Sequence, residues 1–218
     1  MQAFIFDFDG VVVDSERHWP PILTGLLAGS IQGFTEEEEK KLKGFNMHKT
    51  YEVLRDRFGL QWTEEEYVRR VEEAVNVVYT DLCVLLPGIT ELLESLKNAN
   101  MPIAIASSSQ RRWIDTGITR LGIKDYFQAI ATADETPGRA KPFPDLYLLA
   151  AKKLGVDPSE CVAIEDSCNG AIAAKDAGMY CIGLRTYMSE GQDLSRADIV
   201  IEDMRTLDAG KIAEMSAK

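Results

Sequence analysis

The stretch Phe4-Ile5-Phe6-Asp7-Phe8-Asp9-Gly10-Val11 is an apolar run that ends by presenting two carboxylates two positions apart, with a glycine directly behind them. Residues i and i+2 of a strand point to the same side, so both acids are expected to face one pocket. Two like charges held that close repel each other and add nothing to stability. Strands do end in Asp for turn chemistry, but a turn needs one Asp, not two. The pair therefore reads as chemistry placed at the end of a buried strand.

Further short apolar runs follow at 102–106, 129–131, 161–164, 180–184 and 199–201. Helical patterns separate them at 89–99, 111–121, 144–154 and 171–177, the last three each followed by a glycine, at Gly122, Gly155 and Gly178. Strand and helix in alternation predict an α/β fold, a Rossmann-like parallel sheet with helices on both faces, and continuous apolar strands fit burial on both sides. Between 15 and 83 no strand pattern appears. That segment carries two capping signals, Thr35 with Glu38 and Thr63 with Glu66, each opening a helical stretch. It is expected to form an inserted α-helical cap domain, with 1–14 and 84–218 making the core. Its acidic runs, Glu36 to Glu39 and Glu64 to Glu66, read as first-turn acids that favour a helix dipole and stay solvated. Pro20 and Pro21 must occupy the first turn of the cap's first helix or delay its start.

The chain of 218 residues is 45% hydrophobic and 27% charged, within the range of folded globular domains. A formal net charge of −11 argues against a general nucleic-acid or anionic-membrane surface, both of which call for clustered Lys and Arg. Cys83, Cys161, Cys168 and Cys181 show neither C-x-x-C spacing nor the density of a small secreted scaffold. They read as reduced, which points to a cytoplasmic location. No run of about 18 apolar residues exists to span a membrane. A monomer is the default expectation.

Ligands of parallel α/β sheets bind outside the carboxyl ends of the strands. The first run ends in Asp7 and Asp9, the second in Ser107, Ser108 and Ser109, and the fourth in Glu165 and Asp166, while Lys141 stands between the third and fourth. Taken singly, the serines could cap the helix that follows, and Lys141 could be a solvated loop lysine. Taken together they place two carboxylate pairs, hydroxyls and a lysine at one sheet edge. Four carboxylates packed there, each pair costing roughly 4 kcal/mol at an effective dielectric of 20, require a compensating cation. Oxygen-only donors suit Mg²⁺, which shares its coordination with phosphate. Zinc would want His or thiolate, and both histidines, His18 and His48, lie in the insertion. Such a set can transfer a phosphoryl group. One acid of the pair attacks phosphorus, its neighbour protonates the leaving oxygen and then activates water, and a serine with backbone N–H groups holds the phosphate oxygens.

Asp7-Phe8-Asp9-Gly10-Val11 with Asp14-Ser15-Glu16, then Ile105-Ala106-Ser107-Ser108-Ser109, Lys141-Pro142-Phe143-Pro144-Asp145, Glu165-Asp166-Ser167-Cys168-Asn169-Gly170 and Ala177-Gly178-Met179 stand in this order over nearly the whole chain. The pattern resembles the haloacid dehalogenase-like hydrolases. Within them it is similar to the branch with a small helical cap that includes β-phosphoglucomutase and many sugar-phosphate phosphatases. The resemblance implies Asp7 as nucleophile, Asp9 as acid and base, and Ser107, Ser108 and Lys141 as phosphate binders. It also implies Mg²⁺ held by Asp7, the Asp9 carbonyl and Asp166, with Glu165 as a ligand or just behind the ligands. Asp9 excludes true dehalogenases, which lack the second aspartate.

The mutase pattern carries a histidine where this chain has Trp19 and an arginine near Met47, and neither is present. Their absence favours transfer to water over return to a sugar. Residues of the cap are expected to contact the substrate, with Trp19, Gly44 and His48 as candidates. Trp19 can equally pack in the cap core, and His48, in the loop Gly44-Phe45-Asn46-Met47-His48-Lys49, can equally be solvated. The expected activity is Mg²⁺-dependent hydrolysis of a small phosphorylated metabolite, a phosphoric monoester hydrolase working through an aspartyl-phosphate. The alternative is a phosphosugar mutase of the β-phosphoglucomutase type. Receiver-type signalling domains use similar residues, but they place the phosphorylated Asp after a later strand and lack an insertion of this size.

Overall fold

A computed structural model describes residues 1–42 and 47–215. The chain divides into two compact units, one formed by Met1–Asp14 with the chain from Val84 onward, the other by Ser15–Cys83.

The first unit is built on six strands, β1 (Ala3–Phe6), β2 (Ile103–Ser107), β3 (Ala129–Thr132), β4 (Cys161–Glu165), β5 (Tyr180–Leu184) and β6 (Ile199–Ile201). They form one parallel sheet in the order β3-β2-β1-β4-β5-β6. In register, Phe4 stands between Ile103 on one side and Val162 on the other. The strand order reverses at β1, and the crevice where a doubly wound sheet takes its ligand opens at the carboxyl ends there. This is the Rossmann-like α/β fold that the alternating pattern predicts.

Nine helices of the described residues follow in chain order: α1 (Trp19–Leu27), α2 (Glu36–Lys40), α3 (Met47–Phe58), α4 (Glu64–Val77), α5 (Ile89–Asn98), α6 (Arg111–Arg120), α7 (Asp145–Leu154), α8 (Cys168–Asp176) and α9 (Ala209–Met215). One face of the sheet is paved with small residues, Ala3, Ala104, Ala106, Ala129, Ala131 and Ala163, and these pack with Leu146, Tyr147, Ala150 and Ala151 of α7 and Ala171, Ala173 and Ala174 of α8. Small side chains let both helices approach the sheet closely. Strand alternation sends Phe4 and Phe6 to the opposite face, where their rings lie 4.6 Å apart. The same alternation matters for the site. Asp7 and Glu165 continue the α7 and α8 side of β1 and β4, whereas Ser107 ends β2 on the other side.

Most boundaries match the hydrophobic runs to within one or two residues, and one does not. The helix expected over 171–177 begins at Cys168, because Ser167 caps it: its Oγ accepts the Gly170 N–H at 3.0 Å. Where the chain leaves and re-enters this unit, the strands of the crossing are tied together. Val84 N–H donates to Asp14 Oδ1 at 2.7 Å, Asp14 N–H to the Val84 carbonyl at 3.1 Å and Leu86 N–H to the Val12 carbonyl at 3.0 Å.

The second unit is helical, α1 to α4, with α4 running on into a π-helical turn at Val78–Leu82. Thr35 and Thr63 cap α2 and α4 as their spacing predicts, accepting from Glu38 N–H at 3.3 Å and Glu66 N–H at 3.1 Å. The glutamates turn to bases, Glu66 Oε1 accepting from Arg70 at 2.8 Å. Pro20 and Pro21 lie in the first turn of α1, where missing N–H groups cost nothing. Among the described residues no helix is long and apolar enough to cross a membrane.

Candidate active site

The carboxyl ends of β1, β2 and β4 bring the acids, hydroxyls and lysine together, and they sort them into two groups. Asp7 follows β1 and is buried, as are Glu165 and Asp166 at the end of β4. Lys141 approaches from the segment before α7. Its ammonium donates to Asp7 Oδ1 at 2.6 Å and meets Glu165 Oε1 at 2.5 Å, with the lysine side chain 7% exposed. Lys141 is therefore not a solvated loop lysine. Asp9 has different partners, although its charge is close enough to act on Asp7. Its Oδ2 accepts from Ser109 Oγ at 2.6 Å and from Ser107 Oγ at 3.3 Å.

Neither serine caps α6. Gln110 occupies the cap position without a side-chain hydrogen bond, and the Ser109 N–H donates instead to Ser107 Oγ at 3.0 Å. Ser108 is exposed. Of the three consecutive serines the structure thus brings Ser107 and Ser109 to Asp9, and Ser109 is the one that sequence reasoning left out. The tight turn in which Ser109 N–H donates to Ser107 Oγ returns Ser109 toward the same acid, a path that strand parity alone does not give.

Electrostatics separates these groups further. Burial pushes the Asp7 carboxyl well above its ordinary value, Lys141 pulls it down, and Glu165, Asp166 and Asp9 push it up again. Desolvation works against the Lys141 ammonium, but Asp7 and Glu165 outweigh it and hold its pKa above the ordinary lysine value. The cluster has one internal cation against three buried acids. Asp7, Glu165 and Asp166 each offer a carboxylate oxygen within 4.8 Å of the others, and all the donors are hard oxygens. A divalent metal such as Mg²⁺ fits this set on charge and on donor type. Within it Glu165 is already engaged, its Oε1 by Lys141 and Tyr147 and its Oε2 by Ser167 Oγ at 3.1 Å.

Two glycines make room for the second acid pair. A Cβ on Gly10, whose φ is +83°, would lie 2.2 Å from Asp166 Oδ2. A Cβ on Gly170 would lie 1.9 Å from the Glu165 carboxyl. The glycine directly behind Asp9 thus has a steric reason that the sequence alone did not supply. Burial pushes the Cys161 thiol up to about 11 and the Cys181 thiol up to about 12, so neither of these two is a ready thiolate.

In the helical unit, His48 is exposed and its Nδ1 lies 2.6 Å from Glu64 Oε1, joining the starts of α3 and α4. Trp19 is half-buried in the first turn of α1. Gly44 lies outside the described residues.

The family model described as haloacid dehalogenase-like hydrolase matches residues 4–184. The chain belongs to the haloacid dehalogenase-like hydrolases. β-Phosphoglucomutase of Bacillus subtilis is 34% identical over 216 residues, covering 95% of this chain and 92% of that protein. The phosphorylated carbohydrates phosphatase of Thermotoga maritima is 30% identical over 201 residues, covering 92% and 93%. Among solved structures, CbbY from Rhodobacter sphaeroides in complex with phosphate superposes with a TM-score of 0.83 at 26% identity, over 94% of this chain and 95% of that one. The β-phosphoglucomutase-like branch of these hydrolases is therefore where this chain sits.

Proposed function

We propose that this haloacid dehalogenase-like hydrolase is a Mg²⁺-dependent phosphatase of small phosphorylated metabolites, sugar phosphates foremost. The observation that carries the reading is the unequal treatment of the two aspartates. Asp7 is buried against Lys141 and a second acid pair, while Asp9 is half-buried and held by two hydroxyls. Environments that differ this much let two identical side chains take different roles.

Asp7 is the nucleophile that forms an aspartyl-phosphate, its carboxylate aimed by Lys141. Asp9 protonates the leaving oxygen and then draws a proton from the attacking water, moving away from Ser109 and Ser107 to do so. Those hydroxyls, Ser107 foremost, are then free to hold phosphate oxygens, together with Lys141 and the N–H groups that open α6. Asp7 and Asp166, with the Asp9 carbonyl, would hold the Mg²⁺, and Glu165 keeps Lys141 in place. When bound, the ion lowers the repulsion between an anionic nucleophile and a phosphate dianion. The relatives that act on phosphorylated carbohydrates support the substrate class. The missing histidine and arginine of the mutase pattern support water as the acceptor.

A panel of phosphorylated sugars and other small phosphomonoesters, assayed for phosphate release with Mg²⁺ and with EDTA, tests this. Release with at least one sugar phosphate, lost in EDTA and restored by Mg²⁺, is expected. Interconversion of β-glucose 1-phosphate in the presence of its bisphosphate, without phosphate release, would establish the mutase reading instead.

A further inference from the structure

Tyr147 has no place in the steps above, yet it touches the charged cluster directly. It lies on α7, six residues after Lys141, and is fully buried. Its phenol donates to Glu165 Oε1 at 2.6 Å, the same oxygen that Lys141 meets at 2.5 Å. The Lys141 ammonium also sits 5.2 Å from the centroid of the Tyr147 ring. One side chain thus grips the lysine's carboxylate partner with its hydroxyl and lies beside the lysine with its ring.

The hydroxyl needs an explanation that packing does not provide. A phenylalanine would fill the same volume between α7 and the sheet, and a buried hydroxyl is costly unless it is bonded. Here the bond goes to an acid that already has an ion-pair partner. Burial keeps the phenol protonated, so it acts as a donor. On the far side Ser167 holds Oε2, and Gly170 leaves no space for a Cβ. The Glu165 carboxylate is therefore clamped at both oxygens. A lysine ammonium has three rotatable donors on a flexible stem and no directionality of its own, so its position is set by the acceptors around it.

We propose that Tyr147 is a positioning residue for phosphoryl transfer: by clamping Glu165 Oε1 and walling the ammonium with its ring, it holds Lys141 on Asp7. The inference rests on the phosphatase reading of the same site. The expected consequence is a defect chiefly in the chemical step, because Lys141 opposes charge that builds up there, whereas the ground-state hold on phosphate is shared with Ser107 and the N–H groups that open α6 and changes less.

The test uses the full chain carrying Tyr147→Phe or Tyr147→Leu, with the best substrate from the panel and with orthovanadate as a mimic of the transferring phosphoryl group. Tyr147→Phe should lower kcat about tenfold with KM within about twofold, and weaken vanadate inhibition by a similar factor. Tyr147→Leu, which also removes the ring, should lose more. In a crystal structure of the Tyr147→Phe chain the Lys141 ammonium should lie beyond hydrogen-bond reach of Asp7 Oδ1. Wild-type kcat and vanadate inhibition in Tyr147→Phe, or a Lys141 that stays on Asp7, would overturn the proposal. So would a loss of activity that only tracks the unfolded fraction while vanadate inhibition of the folded part is unchanged. If the wild-type chain releases no phosphate from any substrate, the phosphatase reading falls, and the crystallographic comparison still decides what places Lys141.

Discussion

In the helical unit Arg69 and Glu73 meet at 2.7 Å with more than half of each side chain in water; in the α/β unit Lys141 and Asp7 meet at 2.6 Å with no more than a tenth exposed. The contact distances are nearly the same and the physics differs. Two unit charges at contact attract by about 1 kcal/mol in bulk water and about 4 kcal/mol at an effective dielectric of 20, and the exposed pair also costs side-chain entropy to hold. Lys49 with Glu52 and Arg70 with Glu66, also in the second unit, keep a third or more of each side chain in water and likewise add little stability. The buried cluster of the first unit binds its charges tightly to one another and leaves an excess of acid. An enzyme places its charges this way where they must act on substrate, at a cost in stability that the surrounding core offsets.

The comparison is broken most severely by Asp7→Asn. It should lower phosphate release by a factor on the order of 10⁴ or more while the folded chain survives, since it removes one of three crowded acids. Full activity in that variant would end the assignment of Asp7. Next comes Gly170→Ala. Its Cβ must displace the Glu165 carboxyl from a closely packed site, and a loss on the order of 3 kcal/mol of stability in denaturant unfolding is expected. The same change at Gly25 in α1, where a Cβ meets nothing within 4 Å and φ is not positive, carries neither a clash nor backbone strain. Equal losses at the two glycines would show that the second acid pair is not tightly packed.

The smallest effect belongs to His48→Ala. The hydrogen bond to Glu64, with that acid's charge behind it, holds the His48 pKa above its ordinary 6.5. A raised pKa means that any stability it lends is fully present below 6.5 and is lost as pH rises through the raised value. Because the ring is exposed, the melting temperature should fall by less than about 1 °C at pH 6 and not at all at pH 9. A larger fall, or one that persists at pH 9, would mean that His48 does more than join two helix starts.

Much of this was legible residue by residue. The acidic runs at 36–39 and 64–66 and the acids at Asp7, Asp9, Glu165 and Asp166 use the same side chains, and only their neighbours told them apart: capping threonines before the former, buried strands before the latter. Strand parity also carries Asp7 and Glu165 to one side of the sheet. What could not be read was any contact decided by the path of a loop. Which serine of Ser107, Ser108 and Ser109 reaches Asp9 depends on the turn after β2. Whether Lys141 is solvated or buried depends on how the segment before α7 folds back. The start of α8 was missed because its first turn holds Cys168 and Asn169, poor helix formers that Ser167 compensates by capping.

By itself the sequence determined the parallel α/β architecture, the place of the helical insertion and the residues that gather at one sheet edge, because period, burial and strand direction are local properties that repeat along the chain. Only the tertiary structure decided that Asp7 and Asp9 take different partners, that Glu165 serves Lys141, that Gly10 leaves space for an acid far along the chain, and that Tyr147 joins the cluster. Those are meetings between residues up to 156 positions apart, from Gly10 to Asp166, and packing in three dimensions sets them where no local pattern does.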